Sequence, residues 1–361
     1  MPKAWNQTRV AETLSIEYPI IQGPLGGLSS QKLAAAVSNF GALGSFGAHG
    51  LEPGAIEDVI AEIRSLTTRP FAINLWVSME DAAARTVEIA AFDRALSHLA
   101  PLIEATGGTV PAFAPHKRIR FEDQARVLLD ANVPAFSFVF GIPPKEIMDE
   151  ARRRGIVTLG TATTLDEAIA LEQAGVDIVV ASGFEAGGHR GSFLRSPEDS
   201  LTGTFSLVPQ AADAVTIPVV AAGGIADARG IAAALMLGAE GVQMGTVFLA
   251  CEESAAHPLH REAILRGNAR HTALTYGFTG RLGRGINNEL LQTMNRPGTE
   301  ILPYPLQRHL MRNLAIPAQK AGRTDLLPLW AGQSANLARC PKISELLPSL
   351  VDGVARQFRR E

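Results

Sequence analysis

Leu165-Asp166-Glu167-Ala168-Ile169-Ala170-Leu171-Glu172-Gln173-Ala174-Gly175-Val176-Asp177-Ile178-Val179-Val180-Ala181-Ser182-Gly183 contains a complete helix–turn–strand unit. Thr164 precedes it as a capping residue, and residues 165–173 carry an amphipathic pattern. The apolar, β-branched run 177–182 reads as a buried strand, and the glycines that follow read as a tight loop. Gly238-Ala239-Glu240-Gly241-Val242 repeats the passage from glycine turn into strand seen at Gly175-Val176-Asp177-Ile178-Val179.

Working outward, strand-like runs lie at 19–23, 42–47, 71–77, 135–140, 156–161, 177–182, 218–222 and 241–248. Amphipathic segments at 31–39, 55–66, 121–131, 144–154, 165–173 and 228–237 separate most of them, with Ser30 and Asp227 as further caps. Such alternation indicates βαβ units around a parallel sheet, and eight strands favour a closed (β/α)8 TIM barrel over an open sheet. The predicted class is therefore α/β, with residues 1–77 and 121–250 forming the barrel. The rhythm breaks over 78–120, which reads as an insertion after the third strand, near the active site. It stops again after Cys251. Residues 251–361 read as a mostly helical C-terminal cap packing on the barrel, with helices at 263–272, 288–295 and 306–314.

Bulk properties narrow the function. The chain has 361 residues, 46% hydrophobic and 19% charged, with a net charge of −3. This is the balance of a globular enzyme, without the basic excess of a nucleic-acid binder. The densest basic run, Arg152-Arg153-Arg154, ends a predicted helix and reads as a solvated terminus. Residues 1–10 are polar and predict no secretory leader, and no apolar run is long enough to span a membrane. Two distant cysteines, Cys251 and Cys340, match no metal spacing and suit a reducing, cytoplasmic setting. His257 and His260 lack a third ligand, so no metal is expected.

Barrel enzymes place their chemistry on loops at the carboxyl ends of strands. There this chain carries Gln22-Gly23-Pro24-Leu25-Gly26-Gly27, Glu185-Ala186-Gly187-Gly188-His189-Arg190-Gly191, Ala222-Gly223-Gly224-Ile225 and Gln243-Met244-Gly245-Thr246. His189 stands among glycines, open to whatever approaches that loop, and histidine's ordinary pKa makes it the default proton-transfer group. A structural histidine bonding a loop carbonyl is the alternative. Glu185 either orients that imidazole or pairs with backbone N–H groups. The glycines after the seventh and eighth strands, with a helix beginning near Asp227, suit a phosphate; otherwise they turn a tight corner. No Rossmann or P-loop spacing occurs, which favours bound flavin mononucleotide over a dinucleotide module. Asn74, an amide in an apolar strand, needs a partner: a flavin edge or a neighbouring strand's side chain. No Gly-x-Ser-x-Gly elbow is present, so covalent catalysis has no candidate.

These segments, with Ala36-Val37-Ser38, Gly41-Ala42-Leu43-Gly44, Leu302-Pro303-Tyr304-Pro305 and Trp330-Ala331-Gly332-Gln333, resemble the first class of the nitronate monooxygenases, FMN-dependent TIM barrels. The histidine loop is the most specific piece. The resemblance implies that His189 is the catalytic base toward a nitronate or neutral nitroalkane. It also implies that the nitronate passes an electron to FMN, and that O2 completes conversion to a carbonyl product and nitrite, a detoxification. The implied FMN contacts are Gln22, Gly23, Asn74, Ser182, Gly187, Gly188, Gly223, Gly224, Gln243, Met244, Gly245 and Thr246. Tyr276 and Tyr304 are candidate pocket phenols. Propionate 3-nitronate is the favoured substrate. One departure stands out: the family often has glutamine where this chain has Ser182, and serine is too short for the same flavin contact. The rival readings are an NAD(P)H-dependent FMN reductase of quinone reductase or enoyl-acyl-carrier-protein reductase type, and a non-catalytic phosphate-ligand barrel.

Overall fold

The computed structural model describes residues 4–113 and 119–359. Its strands are β1 Ile20–Gln22, β2 Gly44–Gly47, β3 Phe71–Trp76, β4 Ala135–Val139, β5 Val157–Ala162, β6 Ile178–Ser182, β7 Gly188–His189, β8 Val219–Ala222, β9 Gly241–Met244, β10 Thr272–Thr275 and β11 Gly283–Ile286. Eight of them form one parallel sheet in the order β1-β9-β8-β6-β5-β4-β3-β2. The sheet closes on itself where Ile21 bridges Leu43: the Leu43 N–H donates to the Ile20 carbonyl and the Gln22 N–H to the Leu43 carbonyl, each at 2.9 Å. The fold is the expected TIM barrel.

Side chains alternate across each strand. Ile21, Leu43, Ala72, Ala135, Leu159, Ile178, Val180 and Val220 fill the barrel interior, and Val10 and Leu14 of the helix Arg9–Leu14 join that cluster. The opposite parity packs beneath the surrounding helices: Ile20, Ile73, Phe136, Val179, Val219 and Val242. Ser30, Thr164 and Asp227 cap their helices as expected, each side chain accepting a backbone N–H of the first turn. The last predicted strand, 241–248, is shorter than its apolar pattern. After Met244 the chain turns into the helix Thr246–Leu249, because an apolar run alone does not distinguish a strand from a buried helix.

The segments flanking the barrel depart further from expectation. Residues 263–272 were expected to be helical. Instead the helix Pro258–Leu265 ends early and β10 begins at Thr272. β10 and β11 form an antiparallel pair, and β11 pairs in turn with β7 of the histidine loop. Two long helices, Thr204–Ala214 and Ile343–Phe358, complete the outer layer. Within 78–120, Ile89–Ala105 is a helix; its Phe92, Ala95, Leu99 and Ile103 share a core with Leu290, Leu306, Leu310 and Leu314 from the C-terminal segment. The two stretches outside the barrel rhythm therefore bury their apolar faces against each other. Residues 114–118, including His116, lie outside the described residues.

His257 and His260 have separate tasks. His257 Nδ1 accepts the Leu259 N–H at the start of its helix. His260 Nε2 bonds the Trp330 carbonyl at 2.8 Å. Burial pushes the His260 pKa down to about 4, against the opposing pull of that carbonyl.

Two outcomes follow. Leu99 is fully buried, so Leu99→Ala should cost about 2–5 kcal/mol in denaturant unfolding. The change should raise hydrogen exchange in both Ile89–Ala105 and Leu306–Lys320; protection unchanged in the second helix would refute the shared core. The unfolded chain takes up a proton on His260 near pH 6.5 and the folded chain only near 4, so stability falls as pH drops through that window. By pH 5 this group should contribute about 2 kcal/mol of destabilisation, and His260→Gln should flatten the pH slope by that amount.

Candidate active site

Strand parity selects the side chains at the carboxyl end of the barrel. The inward series continue from Ile21 to Gly23, Ala72 to Asn74 and Trp76, Leu159 to Thr161, Val180 to Ser182 and Val220 to Ala222, and β9 adds Gln243. All of these line one cavity of about 260 Å³. Gly187, Gly188, His189, Gly223, Gly224, Gly245 and Thr246 line it from the loops. Gln22 and Met244 have the outward parity and do not. Met244 packs in the outer core. The Gln22 amide takes the place of a strand partner, accepting the Ser45 N–H at 3.1 Å and donating to the Ser45 carbonyl at 2.7 Å.

The glycine loops approach other backbone closely. A Cβ on Gly187 would lie 2.5 Å from the Ala331 carbonyl carbon and the Gly332 nitrogen, so Trp330–Ser334 can lie directly over the histidine loop. The Gly332 N–H donates to Thr246 Oγ1 and the Gln333 N–H to the Glu185 carbonyl. Gly223 and Gly224 have φ of 100° and 72°, a region that favours glycine. Their amides, and those of Gly245 and Thr246, donate to no acceptor among the described residues. In the helix after β8, Asp227 itself accepts the Arg229 and Gly230 N–H groups. The undonated amides gather in the turns after β8 and β9.

Glu185 does not bond the imidazole; its carboxylate accepts a backbone N–H, but that of Thr204 at 2.9 Å, at the start of the helix Thr204–Ala214 and not within the glycine-rich turn as expected. Arg190 is buried and donates to the carbonyls of Thr163, Ser182 and Ser200, which clamps the loop beyond His189. Asn74 Nδ2 donates to Ser137 Oγ at 3.0 Å while its side chain also borders the cavity.

His189 is less open than its glycine neighbours imply. Trp76 and Trp330 each stand 4.8 Å away, ring centroid to centroid, and Phe140 stands 6.2 Å away. A hydrogen bond of 2.7 Å joins His189 Nε2 and Thr279 Oγ1. Burial, followed by the guanidiniums of Arg281 and Arg308, pushes its pKa down to about 3. The near-neutral base suggested by histidine's ordinary value is thus corrected. The imidazole is neutral throughout the physiological range. His49 is similar: it stacks on Trp76 at 3.9 Å, and burial, Arg308, His189 and Arg281 lower its pKa.

Arg281 is neutralised by Asp81, its Nε donating at 2.9 Å. Arg308 borders the cavity, donates to Tyr304 Oη at 3.2 Å and has no carboxylate partner among the described residues. The two candidate phenols do not reach the cavity. Tyr304 is buried beneath the Arg281 guanidinium. Tyr276 donates to the Glu198 carboxylate, and burial with that carboxylate raises its pKa. Sequence reading missed His49, Trp76, Thr279, Arg281, Arg308 and the lining role of Trp330–Ser334. Only Trp76 had a usable signal, two residues beyond Asn74 on the same strand face.

The chain matches the nitronate monooxygenase family over residues 7–353. A Staphylococcus haemolyticus protein described as a "probable nitronate monooxygenase" is 41% identical, over 97% of this chain and 98% of its own length. A Staphylococcus aureus protein of the same description is 39% identical over the same shares. Nitroalkane oxidase from Streptomyces ansochromogenes superposes with a TM-score of 0.86 at 37% identity, covering 96% of this chain and 99% of its own. FabK from Thermotoga maritima gives 0.75 at 29%, covering 98% and 97%. No described helix is long and apolar enough to cross a membrane. A barrel with its glycine turns and a half-buried histidine at the expected end, matched over nearly its full length, makes this chain an oxidoreductase of the nitronate monooxygenase family.

Proposed function

We propose that this enzyme binds FMN and oxidises anionic nitronates, propionate 3-nitronate among them, with O2, releasing a carbonyl product and nitrite. One observation carries the reading: among the described residues no carboxylate lines the cavity, while a neutral His189 and the unneutralised Arg308 do. Such a cavity favours an anion and disfavours a cation.

The residues present fit the cofactor. The undonated amides of Gly223, Gly224, Gly245 and Thr246 suit a phosphate, and Asn74, Ser182 and Gln243 face the space where an isoalloxazine edge needs polar partners. A Cβ on Gly188 would meet nothing within 4 Å, which leaves that side of the cavity open. Bound FMN supplies the electron acceptor. The chain's own groups do the rest. His189, neutral because of its surroundings, accepts the α-proton of a neutral nitroalkane or stands beside a nitronate already formed. Burial first and the Arg281 and Arg308 guanidiniums second make it a weak base in isolation, and the guanidiniums also stabilise the anion that proton removal creates. Trp76, Trp330 and Phe140 pack around the imidazole and hold its plane. Arg308 pairs with the carboxylate of propionate 3-nitronate.

The deciding experiment mixes the purified yellow protein anaerobically with propionate 3-nitronate and, separately, with NADH. Loss of flavin absorbance with the nitronate alone is the expected result. Rapid bleaching by NADH would overturn it in favour of an FMN reductase. His189→Asn should lower turnover of neutral nitroalkane by about 10²–10⁴-fold while sparing flavin content and turnover of preformed nitronate. Arg308→Leu should reduce kcat/KM for propionate 3-nitronate about 10- to 100-fold, the worth of one charge-assisted contact. Ethylnitronate, which lacks the carboxylate, should lose less, and an equal loss with both substrates would refute that assignment.

A further inference from the structure

We infer that Thr279 is a positioning residue that holds His189 as the Nε2–H tautomer, leaving the Nδ1 lone pair as the proton acceptor. The inference rests on the reading of His189 as the base.

A neutral imidazole carries one proton, and the partner of one nitrogen decides which nitrogen keeps it. Thr279 Oγ1 lies 2.7 Å from His189 Nε2, 3.3 Å from the Arg281 backbone nitrogen and 3.4 Å from the Arg281 carbonyl oxygen. The hydroxyl has one proton to give. If His189 donates from Nε2, the hydroxyl accepts from it and from the Arg281 N–H, and passes its own proton to the Arg281 carbonyl. All three contacts are then satisfied. If the hydroxyl instead donates to Nε2, the Arg281 carbonyl loses the one donor that reaches it among the described residues. The first arrangement satisfies one more buried polar group and is therefore favoured. His189 Nδ1 has no hydrogen-bond partner among the described residues and is not sealed within the protein.

The geometry is held from both sides. Gly283 pairs with His189 in the β11–β7 ladder, and the Arg190 N–H donates to the Leu282 carbonyl at 2.8 Å. Thr279 lies in the turn just before β11, where the N–H groups of Thr279 and Gly280 both donate to the Tyr276 carbonyl. Phe278 is buried edge-on to Trp330 at 5.1 Å, and the backbone of Leu302–Tyr304 lies against Gly280, where a Cβ would be 2.3 Å from the Leu302 carbonyl oxygen. The hydroxyl therefore has little freedom to leave the imidazole.

The test reads the tautomer directly, by two-bond ¹H–¹⁵N correlation on the histidine-labelled protein as purified. His189 is assigned by the signals missing from His189→Asn. The expected wild-type pattern is a protonated Nε2 and an unprotonated Nδ1. Thr279→Ser should keep that pattern, and Thr279→Val should shift His189 toward the Nδ1–H form. A wild-type His189 protonated on Nδ1 would overturn the inference even if neither variant folds. So would an unchanged pattern in Thr279→Val. Undiminished nitroalkane turnover by His189→Asn would instead defeat the reading of His189 as the base, a separate failure.

Discussion

The pairing of Gly188 and His189 with Arg284 and Gly283 is the constraint on which the active site depends. The barrel delivers the histidine loop to its carboxyl end. A loop of consecutive glycines has too much conformational freedom to hold an imidazole in one place. The C-terminal segment removes that freedom by adding strands. Its β10–β11 hairpin pairs with the loop, and the Trp330–Ser334 stretch lies across it. Gly283 must be small for this to work, since a Cβ there would sit 2.7 Å from the Trp330 ring and 2.9 Å from the Gly188 carbonyl oxygen. The extension is thus part of the site itself.

The same segment supplies most of the charge. Arg281 and Arg308 come from the extension, and both depress proton affinity inside the cavity. Asp81 offsets Arg281 from behind, beside the Ser78 carbonyl and hydroxyl that the same guanidinium binds. That arrangement ties the 78–113 stretch to the extension through a partly buried ion pair, in addition to their common apolar core. A cavity with cations at its edge and neutral histidines within it is electrostatically incomplete until an anion enters. The positive field that adds to burial in lowering the His189 pKa also favours negative charge in the cavity.

Aromatic packing links the two effects. Trp76 touches His49 on its face and meets His189, Phe140 and Tyr304 through its edges or at a tilt. The Arg281 guanidinium lies 4.5–5.5 Å from the centroids of Phe140, Tyr304 and Trp76. Cation–π contact lets an apolar wall carry positive charge without a carboxylate at the surface of the cavity.

The sequence by itself determined the barrel and the loops that carry its chemistry. Alternating apolar runs and capped amphipathic segments report secondary structure locally, and Ser30, Thr164 and Asp227 cap their helices as their positions foretell. Strand alternation was also legible. Applied from Ile21 and Val242, it separates the inward Gly23 and Gln243 from the outward Gln22 and Met244. Only the tertiary structure decided what surrounds His189. Thr279, Arg281, Arg308 and Trp330 are far from it along the chain, and no local pattern marks their convergence. The neutral state of the imidazole follows from that convergence, because desolvation and nearby charge act through space, and spatial neighbours are set by how the extension folds back over the barrel.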